Sequence, residues 1–243
     1  PDGKILALSR DGYFRPGDLA HGPARYRWKV SRFNADGSPD TGFNGAQPLE
    51  SRCDDMRAVV PSLALQADGG FVVAGLGHDN PRSYCIERRL GDGRPDQGFN
   101  GGNLWTAMLT RAEVEFDTIE VLTDGKLLMV GRGLDYSGST MQSGVVAARC
   151  AADGTPDPAF GTGGAAFLPV TADPWAYMQI GIVSARDGGF AAAGYEYDYQ
   201  SDNASQFVPV LLKVGPRGDP DPAFGENGIA RQSPGGDVPR AFV

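Results

Sequence analysis

Pairs of aspartates recur along this chain at a spacing of four residues, and carboxylates so spaced could bind calcium. The pairs are Asp36 with Asp40, Asp92 with Asp96, and Asp153 with Asp157. A calcium loop of the EF-hand type also needs a bidentate acidic residue at its twelfth position, and none recurs here. We therefore predict a structural role. The first aspartate accepts a hydrogen bond within its own turn, and the second caps a short helical turn.

An aromatic residue follows each second aspartate by three positions. These residues are Phe43, Phe99, Phe160 and Phe224. We expect the capped turn to direct each ring into the core. Truncation of any one of them should then cost about 3 to 5 kcal/mol.

Other catalytic chemistry has few residues to draw on. His21 and His78 are the only histidines, and both fall in segments expected to be loops. The sequence contains no GxSxG, HExxH, P-loop or GxGxxG motif. The cysteines, Cys53, Cys85 and Cys150, have no metal-ligand spacing, and three of them allow one disulfide, of which Cys53 with Cys85 is one pairing. We predict no catalytic residue, no metal ligand and no cofactor, with calcium left open, and the sequence favours a non-enzyme without deciding the question.

Charge and composition exclude several kinds of partner. The 243 residues carry 30 acidic and 22 basic side chains, a net charge of -8 that would repel nucleic acid. No apolar run approaches the roughly 18 residues of a membrane span, so we expect a chain that is not membrane-embedded. The 35 glycines and 18 prolines indicate many short strands and turns.

Two sequence signatures repeat four times. An Asp-Gly turn followed by an apolar run begins at Pro1, Ala67, Thr123 and Arg186, at intervals of 66, 56 and 63 residues. A second signature, as in ADGSPDTGFN from Ala35, contains the aspartate pairs, and its second aspartates lie 56, 61 and 64 residues apart. Such a period is typical of repeat architectures. We expect one repeat domain over residues 1–243, with units of approximately 1–56, 57–112, 113–175 and 176–243.

Each repeat reads as four strands. In the second repeat we predict strands at Ser62–Gln66, Phe71–Leu76, Tyr84–Leu90 and Asn103–Met108. The run Leu127–Val130 is apolar throughout, which indicates burial on both faces of a sheet. Four-stranded antiparallel units packed face to face are the blades of a β-propeller. The predicted fold class is therefore all-β, a propeller-like array of about four repeats of 56–66 residues.

The paired signatures resemble the bacterial delta-60 repeat family over essentially the whole chain. That resemblance implies large, exported, propeller-like bacterial proteins, and hence an extracytoplasmic location at the cell surface, in the periplasm or in the medium. It implies no shared catalytic residues. The fourth repeat departs from the pattern, since Pro216, Arg217 and Gly218 replace the usual Asp-Gly, which leaves its turn type open.

The ends of the chain align with the interior of a repeat. The tail from Gly236 to Val243 aligns with Cys53 to Val60, just before a first strand, and Pro1 aligns with Ala67, just after one. We expect part of a larger or partner-completed propeller, with self-association or a partner chain at the truncated ends.

Loops of variable length gather on one side of such a repeat. The Asp-Gly turns follow the first and third strands, whereas length changes fall after the second and fourth strands, on what we call the variable face. The loops are Arg10 to Ala24, Gly77 to Ser83, Arg132 to Ser143 and Tyr195 to Gln206. The candidate ligand-binding residues in them are Tyr13, His78, Asp79, Asp135, Tyr136, Tyr195, Tyr197, Asp198, Tyr199 and Asp202. Tyrosine offers flat contact area with a polar tip, as binding surfaces use.

Three functions remain open from the sequence. The favoured one is a non-catalytic exported propeller that binds a protein or carbohydrate ligand, or builds a surface assembly, through the variable face. The alternatives are a calcium-dependent hydrolase or lyase, with Asp135, Asp198 and Asp202 as ligands, and a purely structural subunit. Fold alone does not choose among them.

Overall fold

The computed structural model describes residues 3–12, 26–53, 62–76, 83–103, 105–108, 112–135, 141–171, 179–186, 188–198 and 206–232. These residues form four antiparallel sheets in which each strand pairs with its neighbours in sequence. The architecture is all-β, as predicted.

The first two sheets hold strands β1 to β7. The first contains β1 (Ile5–Gly12), β2 (Tyr26–Phe33) and β3 (Leu49–Glu50), three strands among the described residues. The second contains β4 (Ser62–Leu65), β5 (Phe71–Leu76), β6 (Ser83–Arg89) and β7 (Trp105–Met108). The strands predicted for the second repeat are confirmed within two residues. The fourth starts late because Asn100–Gly102 forms a 3-10 turn ahead of it.

The last two sheets hold strands β8 to β15. The third contains β8 (Ala112–Val121), β9 (Leu127–Asp135), β10 (Gln142–Cys150) and β11 (Ala165–Thr171). The fourth contains β12 (Gln179–Arg186), β13 (Gly189–Asp198), β14 (Gln206–Val214) and β15 (Ile229–Arg231). In the described part of the chain, no helix has the length and apolar character of a membrane span.

The chain forms two compact units. The first comprises residues 1–109 together with 152–155, and the second comprises residues 110–151 and 156–243. The core of the first unit is built by Val30, Phe43, Phe71 and Val73. The larger core of the second unit includes Leu128, Val130, Val145, Phe160, Phe190, Val210 and Leu212.

The burial of residues on β2 and β9 follows the patterns predicted from the sequence. Trp28 and Val30 on β2 are buried, whereas Lys29 between them is partly exposed. All four residues of the run Leu127–Val130 are fully buried, so β9 is covered on both faces. Burial of alternate positions defines which face of β2 packs in the core.

Candidate functional site

The best-defined polar site is the turn that follows the last strand but one of each sheet, which we call the Asp-Phe turn. In the first sheet, Asp40 Oδ1 accepts the main-chain N–H of Gly42 at 2.9 Å. Its Oδ2 accepts from Arg32 Nε at 2.6 Å and from Lys4 Nζ at 2.8 Å. The predicted capping role of Asp40 is confirmed. The carboxylate is enclosed by donors, which is how a buried charge is stabilised.

The same arrangement recurs in the other three sheets. Each turn pairs its second aspartate with a basic residue at 2.7 to 2.8 Å: Arg88 with Asp96, Arg149 with Asp157, and Lys213 with Asp221. Sequence reasoning missed these cations. A signal was present, because a basic residue precedes each of the four aspartates by eight positions.

These contacts lower the pKa of the carboxyl groups of Asp40 and Asp157. The hydrogen bond from Lys4 lowers the pKa of Asp40 to about 2, with further contributions from the Gly42 N–H and from Arg32. Burial works to raise the pKa of Asp157, but the Ala159 N–H, Arg149 and Lys126 outweigh it, so the pKa is lowered overall. A charged carboxylate with its acceptor sites filled serves neither as a general acid nor as an open metal ligand.

The first aspartate of each pair also acts as predicted. Asp36 Oδ1 accepts the N–H of Ser38 at 2.9 Å, and Asp153 Oδ1 accepts the N–H of Thr155 at 2.9 Å. These bonds close the turn locally. The pKa of Asp36 is lowered chiefly by the hydrogen bond from the Ser38 hydroxyl and then by the Ser38 N–H, and the pKa of Asp153 is lowered chiefly by the Thr155 N–H. Among the described residues, no three acidic, histidine or cysteine side chains cluster as a metal site would require.

The phenylalanine of one Asp-Phe turn packs against a glycine of the next such turn, and we call this contact a joint. Phe43 and Phe99 are buried, and a Cβ placed on Gly93 or Gly154 would come within 3.4 and 3.1 Å of their respective rings. A Cβ on Gly218 would come within 3.3 Å of the Phe160 ring. Only glycine fits so close to a ring at a positive φ, which explains the glycine in the repeated signature.

Main-chain hydrogen bonds complete the three joints. The residue after each phenylalanine donates its N–H to a carbonyl of the receiving turn: Asn44 to Asp92, Asn100 to Asp153, and Gly161 to Arg217, at 3.3, 2.9 and 2.7 Å. The basic residue of each turn also bonds to the next repeat along the chain. Arg32 donates to the Gly91 carbonyl, Arg88 to that of Ala152, and Arg149 to that of Gly188. The repeated signature is therefore a device that holds repeats together.

The fourth Asp-Phe turn keeps the geometry that its sequence left open. Gly218 has φ +83°, close to the +82° of Gly37, and donates its N–H to the Gly215 carbonyl at 3.0 Å. Pro216 and Arg217 therefore replace the usual residues without changing the turn. Phe224 differs from the prediction, because its ring is half-buried whereas the rings of Phe43, Phe99 and Phe160 are fully buried. No described glycine packs on it.

The joint between the first two sheets has further polar links. Cys53 and Cys85 form a disulfide, the pairing that the sequence left open, and Cys150 is a buried thiol. Glu87 on β6 is fully buried and accepts from Arg89 Nη2 at 2.8 Å and from Arg52 Nε at 3.2 Å. The segment after β3 is thus bonded to β6 covalently and through ion pairs.

A cavity of about 360 Å³ opens between β11 and the pair β14 and β15 in the second unit. Two of its polar lining side chains, Lys213 and Arg231, are already engaged. Lys213 pairs with Asp221, and Arg231 pairs with Glu196 at 3.1 Å.

Four of the predicted ligand-binding residues lie on strands that lead to the other edge of the sheets. Asp135 ends β9 opposite Gln142, and Asp198 ends β13 opposite Gln206. Tyr195 and Tyr197 also lie on β13, opposite Pro209 and Phe207. The remaining candidates lie outside the described residues, namely Tyr13, His78, Asp79, Tyr136, Tyr199 and Asp202. The structure thus places four of the ten on strand ends.

Asp135 and Asp198 occupy equivalent positions. Each stands eight residues after the first buried apolar residue of its strand segment, Leu127 in β9 and Phe190 in β13. Both hairpins therefore carry an aspartate at the same level of the variable face.

Comparisons with known proteins concern the fold. Residues 21–43 match a family model described as a domain of unknown function (DUF5122) beta-propeller. The matching family is a propeller family. Among solved structures, extracellular domains 1-2 of Drosophila Semaphorin 1b are similar at 13% identity, with a TM-score of 0.42. The similarity covers 87% of this chain but only 40% of the semaphorin chain. No curated protein gives a significant match.

Proposed function

We propose that this chain is a non-catalytic β-propeller protein that acts outside the bacterial cytoplasm and binds a protein or glycan partner through its variable face. The observation that carries the proposal is the contrast between the two edges of the sheets. At the Asp-Phe turns, the ionised carboxylates are occupied by main-chain N–H groups and by basic side chains. That edge has little left with which to recognise a ligand.

The opposite edge is where recognition is expected. The β9–β10 and β13–β14 hairpins extend toward it with Asp135 and Asp198 at their ends. The connecting loops differ in length between repeats and are rich in Tyr, Asp, Asn and Ser, as in YEYDYQSDNAS from Tyr195. Rigid strand ends that present variable loops are a common design for binding.

The chemistry of this face suits a polar partner. Tyrosine rings stack on sugar or peptide surfaces and offer a hydroxyl for hydrogen bonding. Aspartates add negative charge to a chain whose net charge is already -8. We therefore favour a neutral or basic protein segment, or a hydroxyl-rich glycan, over an anionic partner.

Two observations support the location. The Cys53–Cys85 disulfide is of the kind that persists in oxidising compartments and is rare in the cytosol. The repeated signatures resemble the delta-60 family, which implies export from a bacterium. Recovery of the oxidised chain from periplasmic or culture fractions of the source organism is the expected outcome, and an exclusively cytosolic, reduced chain would contradict it.

The binding test compares matched tyrosine variants. Fluorescently labelled chain is applied to a glycan array and to intact cells of the source organism. The double variant Tyr197→Ala/Tyr199→Ala should lose at least tenfold in affinity with an unchanged melting temperature, whereas Tyr197→Phe/Tyr199→Phe should retain most binding because it keeps the rings. Equal affinities of the wild-type chain and the alanine variant, or no binding to either probe, would refute the proposal.

Repeating the binding and melting measurements in EDTA separates the favoured proposal from the calcium-dependent alternative. That alternative requires Asp135, Asp198 and Asp202 to hold the calcium ion. Chelation would then lower the melting temperature and abolish any cleavage of a polysaccharide by hydrolysis or by elimination. Under the favoured proposal, EDTA leaves both the melting temperature and the binding curve unchanged.

A further inference from the structure

The cavity between β11 and the pair β14 and β15 has a filled counterpart in the first unit. There, the Arg52 side chain extends from the segment after β3 toward the second sheet. Its Nε donates to Glu87 Oε2 at 3.2 Å, and its Nη2 donates to the Gly102 carbonyl at 3.1 Å. One long side chain thus occupies the space between the two sheets at this level.

Strand pairing places Pro169 where the first sheet has Arg52. Lys29 and Val146 are equivalent, because each stands three residues before the arginine of its Asp-Phe turn. Arg52 stands two residues after the strand position that pairs with Lys29, and Pro169 stands two residues after the position that pairs with Val146. Proline has a short ring and no polar side-chain atom, so it replaces neither the length nor the hydrogen bonds of arginine.

The two acceptors of Arg52 also have equivalents in the second unit. Leu212 takes the place of Glu87, because each directly precedes the basic residue of its Asp-Phe turn. Asn227 takes the place of Gly102, because each stands three residues after the phenylalanine of that turn, at φ +51° and +75°. Pro169, Leu212 and Asn227 all line the cavity. The cavity is therefore the space that a side chain fills in the first unit.

These replacements define what the cavity can hold. Leu212 in place of Glu87 removes the acid that neutralises a guanidinium group, so a cation would lie there without a partner. The hydrogen-bond acceptor is kept, since no main-chain N–H of the described residues donates to the Asn227 carbonyl. An occupant thus needs an apolar body and one hydrogen-bond donor.

The size and lining of the cavity suit a ring system without charge. Apolar walls are supplied by Leu168, Val170, Leu212 and Ile229. The volume is about 360 Å³, and an apolar cavity of about 150 Å³ already holds a benzene ring. The two cationic lining residues are paired with acids, and Glu226 adds a carboxylate to the lining, which disfavours an anion.

We propose that this cavity binds a small neutral aromatic molecule that carries one N–H or O–H donor, with indole and phenol as the simplest members of the class. The ring packs against Leu168, Leu212 and Ile229, and its donor bonds to the Asn227 carbonyl. The lining residues lie outside the four loops that define the variable face. This site is therefore independent of the binding proposed for that face.

NMR titration of the full chain with three related compounds tests the proposal. Indole should shift the methyl signals of Leu168, Leu212 and Ile229. The compound 3-methylindole keeps the N–H, whereas 1-methylindole has the same size and lacks it. We expect 3-methylindole to bind about 3- to 10-fold more tightly than 1-methylindole, because only it bonds to the carbonyl. Equal affinities of the two methylindoles, or methyl signals that do not shift up to the solubility limit of indole, would overturn the proposal.

Variants of Pro169 locate the bound ring. Pro169→Arg supplies the side chain that the first sheet has at this position and should weaken indole binding about tenfold or more, since its stem fills the cavity. Pro169→Ala is the matched control and should bind like the wild-type chain. Ile229→Trp fills the cavity from β15 and repeats the test if Pro169→Arg lowers the melting temperature.

The variable face supplies a second control. Tyr197→Ala/Tyr199→Ala should bind indole with unchanged affinity, whatever its effect on the partner of that face. Full indole affinity in both cavity-filling variants, or loss of indole binding in the tyrosine variant, would place the ligand elsewhere and overturn the assignment.

Discussion

The guanidinium carbon of Arg149 lies 4.6 Å from the centroid of the Phe160 ring. From the same position, its Nε donates to Asp157 at 2.8 Å and its Nη1 donates to the Gly188 carbonyl of the fourth sheet. One cation therefore links a turn, the ring that the turn directs into the core, and the adjacent sheet. Arg32 over Phe43 and Arg88 over Phe99 repeat the stacking at 4.9 and 5.2 Å.

Loss of this cation should be costly where it is buried. Arg149→Ala removes the closer of the two cations paired with buried Asp157 and leaves Lys126 at 3.3 Å, so we expect the free energy of unfolding to fall by about 1.5 to 3 kcal/mol. Lys213→Ala removes the equivalent cation from an exposed position and should cost less than about 1 kcal/mol. Urea denaturation of dilute protein measures both, and similar losses for the two variants would show that burial does not set the strength of the pair.

Truncation of the turn aromatics should follow their burial. Phe160→Ala should cost about 3 to 5 kcal/mol because it leaves a cavity in the core of the second unit. Phe224→Ala should cost less than about 2 kcal/mol because its half-buried ring leaves no closed cavity. A larger loss for Phe224→Ala than for Phe160→Ala would contradict this account.

Reduction of the disulfide should weaken the chain substantially. The Cys53–Cys85 bridge joins residues 32 positions apart, and the loop-closure entropy for such a length corresponds to about 3 to 4 kcal/mol. Dithiothreitol should therefore lower the urea midpoint of the wild-type chain. The Cys53→Ser/Cys85→Ser variant is the control. It should start at the lower midpoint and not respond to the reductant.

Acid should weaken the first Asp-Phe turn at low pH. The pKa of Asp40 is lowered from 3.8 to about 2 in the folded chain. A depressed pKa means that the charged form stabilises the fold, so this contribution is complete above about pH 4 and is lost as the pH falls through 2. NMR titration of the aspartate side-chain carbons gives the value directly. Lys4→Ala should raise the pKa of Asp40, because the Lys4 hydrogen bond is its largest cause, and an unchanged pKa would contradict that assignment.

The sequence predicts the strands and turns well because their signals are local. Asp-Gly dipeptides and apolar alternation depend on a few neighbouring residues, and the predicted turns that lie wholly within the described residues form. The contribution of Arg32, Arg88 and Arg149 was missed because stacking on a ring and bonding to another sheet are contacts distant in sequence. The partial exposure of Phe224 was missed for a related reason, since its motif is the same as the others and only its neighbours differ.

The binding face is less accessible to sequence reasoning. Loop composition identifies Tyr195, Asp135 and their neighbours as candidates, and strand pairing places Asp135 and Asp198 on equivalent hairpin ends. Loop conformation depends on insertions that differ in every repeat. A periodic pattern therefore predicts where a ligand would bind but not which side chains converge on it.

The buried Glu87 distinguishes the second sheet from the other three and so affects the order in which the sheets stack during folding. The equivalent positions in the other sheets hold Ser31, Ala148 and Leu212, so a sheet that stacked out of order would leave the Glu87 carboxylate buried away from Arg52. Arg89 on the same strand would still pair with Glu87, but loss of the hydrogen bond from Arg52 to this buried carboxylate costs about 1.5 to 3 kcal/mol, which makes the wrong order less stable than the right one. Chains built of near-identical modules are prone to mispairing. The contact between Glu87 and Arg52 thus favours the arrangement in which this repeat packs directly after the first.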